Sequence, residues 1–147
     1  MDLPAGLTVK MELESGFDSA TAAIGDPVRA RVVENVRRGG KPILPKGAIV
    51  TGRIRSMERE ARAGGFLVGI ELTGVRWENN RADFRADLLD NSRFWGSPPS
   101  MEAPLAERAG AQIRVPSAIP GVGRLLVKGE QWRLAPGLKT VWRTRGP

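Results

Sequence analysis

The 147-residue chain contains no cysteine, no histidine and no tyrosine. The first two absences remove thiol nucleophiles, imidazole acid–base catalysis and the usual zinc and iron ligands together. They also remove any disulfide framework, which a chain of this length does not need in order to bury a core. Aromatic residues are only 5% of the chain. No apolar run approaches the ~20 residues that span a bilayer. The opening "MDLPAG" lacks the charged start and apolar stretch of a signal peptide. Serines 56, 92, 97 and 117 have no histidine to activate them. We therefore expect no enzyme, no cofactor and no metal site.

Positive charge is abundant and uneven. Lys and Arg total 23 against 16 acidic residues, a net charge of +7. Residues 1–90 are nearly balanced, with 14 basic and 13 acidic side chains, whereas residues 91–147 carry 9 basic and 3 acidic. Arginine supplies 18 of the 23 cations, and its guanidinium makes bidentate contacts with phosphate or carboxylate. Such a skew points to an anionic partner: a lipid headgroup, an envelope glycan or a nucleic acid.

Hydrophobic spacing is that of strands. In "GLTVKMELES", Leu7, Val9, Met11 and Leu13 alternate with Thr8, Lys10, Glu12 and Glu14, the period of two of a half-buried strand. Val28, Ala30 and Val32 alternate with Arg29, Arg31 and Val33. A strand is expected from about Ala48 to Glu58, with Gly52 easing a bend or admitting another backbone. Phe66, Val68, Ile70 and Leu72 form one face of the next strand, and Phe84, Ala86 and Leu88 that of a fifth. Gly39–Gly40 suits a hairpin, and "ARAGG" and "ENNRA" read as turns. "GRLLVKG", "QWRLAPG" and "LKTVWRT" supply strands at the end of the chain, with Trp132 and Trp142 packing into or over the core. The expected architecture is a single all-β domain over residues 1–147, a small closed or partly open β-barrel or sandwich. Residues 91–112, rich in Pro, Ser and Ala, break the rhythm as a loop or helix insertion. A short helix is expected near residues 100–110, capped by Ser100 with Pro104 near its start.

One phrase recurs. "LPAGLTV" begins at Leu3, "LPKGAIVTG" at Leu44 and "LAPGLKTV" at Leu134. Proline presets φ and glycine completes the turn. We expect "LPKG" to be a type I turn with Gly47 last, and "LAPG" a type II turn. Each is a corner that feeds a strand.

The order of these signals resembles the C-terminal β-barrel domain of TrbI/VirB-type scaffold proteins of conjugation and type IV secretion, or a stand-alone bacterial envelope domain similar to it. The matching positions are Gly6, Asp18, Ser19, Gly25, Ala30, Val32, Pro45, Gly47 and Gly52, within residues 3–75. The resemblance implies a barrel fold, a bacterial origin and a periplasmic or otherwise extracytoplasmic setting, with a signal peptide removed ahead of residue 1. From Arg93 onward no match to the family is found.

Other constellations are weak. Glu12/Glu14 and Glu58/Glu60 lie at strand spacing on solvated faces, and "GDP" at Gly25–Pro27 reads as a turn starting a strand. "GVGRLLVKG" lacks the strand–loop–helix context of a phosphate loop. The candidate interaction surface is Arg93, Phe94 and Trp95, a cation with two aromatics in a loop, together with Trp132, Arg133, Trp142 and Arg143. The function expected is a non-enzymatic structural or interaction domain of the cell envelope, whose partner is another envelope protein or an anionic envelope component. The alternatives are a basic nucleic-acid-binding barrel and a hydrolase with an unrecognised site.

Overall fold

The computed structural model describes residues 3–18, 20–60, 65–89, 111–114, 119–128, 133–134 and 136–145. The described residues form thirteen strands: β1 (Thr8–Leu13), β2 (Phe17–Asp18), β3 (Pro27–Val32), β4 (Val36–Arg38), β5 (Lys41–Leu44), β6 (Ile49–Glu60), β7 (Gly65–Trp77), β8 (Asn80–Asp83), β9 (Ala86–Leu89), β10 (Ala111–Arg114), β11 (Val122–Lys128), β12 (Arg133–Leu134) and β13 (Lys139–Thr144). The main sheet runs β10-β11-β7-β6-β3-β1-β13-β9, with β8 beside β7, and its ladders are antiparallel. Two small pairs, β2–β12 and β4–β5, lie outside it.

This sheet is a strongly curled half-barrel. The expected all-β class is present. The helix expected near residues 100–110 lies outside the described residues, as does most of the insertion. Its last two positions, Ala111 and Gln112, are strand, because β10 pairs with β11 there. Through Leu89 the chain forms nine strands where alternation counts five. Short pairs such as β4–β5 and the break between β8 and β9 at Phe84–Arg85 leave too few residues to show a period.

The alternating faces are used as the pattern dictates. Val9, Met11, Leu13, Val28, Ala30 and Val32 are all buried on the concave side. Arg29 and Arg31 point the other way and are exposed. Two register shifts in the β6–β7 ladder, at Thr51/Gly52 and at Ile54/Ser56, provide the bulges that sharpen its curl. The first leaves Thr73 as the extra residue of β7, after which Val75 takes the buried face.

The Pro/Gly corners share one backbone feature. Gly6, Gly47 and Gly137 have φ of 84°, 96° and 104°, a region that disfavours side chains. Each precedes a buried residue: Leu7, Ala48 and Leu138. The "LPKG" turn differs from expectation. Ala48 N–H donates to Pro45 C=O at 3.2 Å, so the turn runs from Pro45 to Ala48 and Gly47 is its third residue. A positive φ at that place makes it type II rather than type I. Gly25 and Gly121 make two more such corners, with φ of 96° and 80°, ahead of β3 and β11. The glycine N–H is stitched to a neighbour each time: Gly6 to Thr144 O, Gly25 to Ile54 O, Gly47 to Val32 O and Gly137 to Leu13 O.

Gly121 is the exception, because its N–H donates to a side chain, Asp87 Oδ1, at 2.9 Å. This contact lies where β9, the last strand of the sheet, curls back towards β11. No backbone ladder joins these two strands. The side chains of Leu88 and Trp142 pack instead on the bare backbone of Gly123, where an added Cβ would lie 2.6 Å from Leu88 Cβ and 2.7 Å from Trp142 Cη2. Asp87 Oδ2 also accepts from Arg145 Nη1 at 2.7 Å. One carboxylate thus clasps the corner of β11 and the end of β13. Asp87→Ala is expected to cost about 1 kcal/mol, since both side chains of the ion pair are partly exposed. Urea unfolding would show it, with Asp87→Asn losing less because its amide oxygen still accepts from Gly121.

Candidate interaction surface

The residues singled out from the sequence do not come together as one described surface. Arg93, Phe94, Trp95 and Trp132 lie outside the described residues. Arg133 sits in β12, paired with Asp18 of β2. Arg143 is exposed on β13, opposite Thr8 on one side and Asp87 on the other. Trp142 is not a surface residue. It is 1% exposed, and its Nε1–H donates to Thr140 Oγ1 at 2.8 Å. Its place in β13 puts it on the concave side with Thr140 and Thr144, where it fills the barrel. A ring held there cannot stack on a base or a sugar.

What strand register assembles instead is a row of charge across the convex face. Lys139 of β13 is the cross-strand partner of Glu12 of β1, which is opposite Arg31 of β3. Arg31 is opposite Ile49 of β6, Ile49 opposite Arg76 of β7, and Arg76 opposite Arg81 of β8. Six strands therefore place four cations, one anion and one isoleucine in line. A second row runs beside it: Arg29, Thr51, Gly74 and Asp83 on β3, β6, β7 and β8.

Most of the arginines on this face have carboxylate partners. Arg29 and Arg31 share Glu14, and Arg53 and Arg55 share Glu71. Arg76 and Arg81 have no ion-pair partner among the described residues. They face each other as like charges on paired strands, an arrangement that costs free energy unless an anion joins them. The loop between their strands is two residues long, Glu78 and Asn79. Glu78 has φ of 51°, the sign that hairpin turns of this length require at their first position.

Where the two rows cross β6, β7 and β8, an open groove of about 490 Å³ lies over the sheet, with Thr51, Gly74, Arg76, Arg81 and Asp83 among its lining. Gly74 forms its floor. A Cβ there would meet Ala82 O and Thr51 Oγ1 at 3.7 Å, ordinary contact distances. The missing side chain is thus not required by the packing, and it leaves the groove open.

Sequence reasoning missed Arg76 and Arg81. Arg76 was legible as a cation near the end of the strand that begins at Phe66, but Arg81 falls within "ENNRA", which read as a turn throughout. The structure confines the turn to Glu78–Asn79 and starts β8 at Asn80. The usable signal was an Arg two places before a two-residue polar loop and one two places after it.

Among the described residues no group of three or more acidic side chains is arranged to hold a metal ion. No helix among them is long and apolar enough to cross a membrane. Compared with known proteins, the chain matches no family model, no curated protein and no solved structure.

Proposed function

We propose that this chain is a non-enzymatic interaction domain of the bacterial envelope, and that its working surface is the convex face of the half-barrel. The cross-strand row from Lys139 to Arg81 is the observation that carries this reading. The row sets four cations against one anion across one sheet, with Arg31 also paired to Glu14 and the excess positive charge at the Arg76/Arg81 end; such a surface recruits anionic partners, and the attraction weakens as salt rises. The resemblance to TrbI/VirB-type barrels supports the envelope setting. The shared positions Gly6, Gly25, Gly47 and Gly52 are corners and a bulge of the sheet, so they support a fold and leave the partner to the surface.

The nucleic-acid reading draws on the same charge, but single-strand binding wants aromatic platforms between the cations. Trp142, one of the rings named for that role, is in the core. The large apolar side chains exposed among the described residues are Ile24 and Ile119, neither of them aromatic. The envelope reading, which the family resemblance also supports, is preferred.

Fractionation of the native cell tests it. The full-length product is expected in the periplasmic extract or bound peripherally to the envelope, and released from the latter by raised salt. Recovery in the cytosol alone would overturn the reading.

A further inference from the structure

The groove over Gly74 has a chemistry of its own. In a hairpin with a two-residue loop, the residues flanking the loop form the hydrogen-bonded pair. Arg76 and Arg81 are then the next pair, of the closer, non-hydrogen-bonded kind, with Cα atoms about 4.5 Å apart. Two guanidinium groups thus rise side by side from one face of the sheet. Both are exposed, and neither has a carboxylate among the described residues. A single carboxylate would satisfy one fork. A phosphoryl group, with several acceptor oxygens in a tetrahedral array, can serve both.

The other half of the groove is polar but not cationic. The row two residues along β6, β7 and β8 brings Thr51, Gly74 and Asp83 into line. Asp83 would repel a bare anion and accept hydrogen bonds from hydroxyls. Thr51 adds a hydroxyl that both donates and accepts. At about 490 Å³ the groove is in the size range of small-molecule sites.

We propose that this groove binds a phosphorylated polyol, with Arg76 and Arg81 holding the phosphoryl group and Asp83 and Thr51 receiving the hydroxyls. The proposal rests on the convex face being the working surface, and it names the ligand class. The shared unit is phosphoglycerol or a close analogue, free in solution or displayed as a lipid headgroup.

Calorimetric titration of the intact protein with glycerol 3-phosphate, inorganic phosphate and glycerol tests this. Glycerol 3-phosphate is expected to bind more tightly than phosphate, and glycerol not measurably. The double variant Arg76→Gln/Arg81→Gln should weaken binding at least tenfold. Gly74→Val should do the same by filling the floor; the Cβ itself makes only ordinary contacts there, and the unfolding midpoint is measured alongside so that a folding defect is told from a filled groove. Arg53→Gln, on the same face but paired with Glu71, should change affinity less than twofold. Asp83→Ala should erase the preference for glycerol 3-phosphate over phosphate while phosphate binding holds or strengthens.

Sedimentation with phosphatidylglycerol vesicles separates the sources. Vesicle binding lost in Gly74→Val assigns the headgroup, and binding of glycerol 3-phosphate without vesicle binding assigns the soluble form. No heat with either phosphate compound at ~10 mM would overturn the site, as would equal losses in the Arg53 and Arg76/Arg81 variants. Salt-labile envelope association that survives in Gly74→Val, with no titration signal, would sink the groove and leave the envelope reading standing.

Discussion

Trp142→Ala is expected to destabilise the domain by about 3–5 kcal/mol, the range for removing a large buried aromatic. The ring is 1% exposed and belongs to the core cluster with Met11, Leu88 and Leu125. Its removal opens a cavity beneath β11, where the backbone at Gly123 packs directly against the indole and Leu88. It also deprives Thr140 Oγ1 of its Nε1–H donor inside the core. A domain of this kind holds roughly 5–15 kcal/mol in all, so the variant sits near the edge of folding. Chemical denaturation reads the loss, and Trp142→Phe should keep much of the packing while giving up the indole hydrogen bond. A loss below about 1 kcal/mol for the alanine variant would contradict the burial.

The second large effect is at Gly52. An alanine Cβ there would overlap the backbone carbonyl oxygen of Glu71 and come within 2.8 Å of Leu72 Cα. Both belong to main chain in the middle of the β6–β7 ladder, so neither can turn aside as a side chain could. Gly52→Ala is expected to cost about 3 kcal/mol, at the upper end of overpacking penalties. Gly74→Ala is the internal control, expected within about 0.5 kcal/mol of the parent, because its Cβ finds only 3.7 Å contacts. The two glycines lie in facing strands on either side of one bulge. Equal losses at both would contradict the close backbone approach at Gly52.

Much of the fold was legible along the chain, for a plain reason. A strand with one face buried repeats every two residues, so β1, β3 and β7 announced themselves through Val9/Met11, Val28/Ala30 and Val68/Ile70, and β6 was expected from about Ala48 to Glu58. Corners were legible because a positive φ calls for glycine, and Gly6, Gly25, Gly47 and Gly137 are all where a turn was expected. Short strands such as β4 and β8 were not, since three or four residues show no period. The turn class at Pro45 was also missed, because whether Gly47 is third or fourth in a turn depends on which hydrogen bond closes it.

By itself, then, the sequence determined the all-β class, the inward and outward faces, the glycine corners and the excess of arginine. These follow from local rules: alternation, backbone sterics and composition. Only the tertiary structure decided which strands lie side by side, and with that, which charges meet. Arg76 and Arg81 become a pair because a two-residue loop folds β8 back on β7. Asp87 becomes a clasp because the sheet curls until β9 faces β11. Trp142, expected to pack into or over the core and also named for the surface, goes inside because β13 lies between β1 and β9 with that face turned to the core. Cross-strand register is a long-range property, and one chain written in order does not carry it.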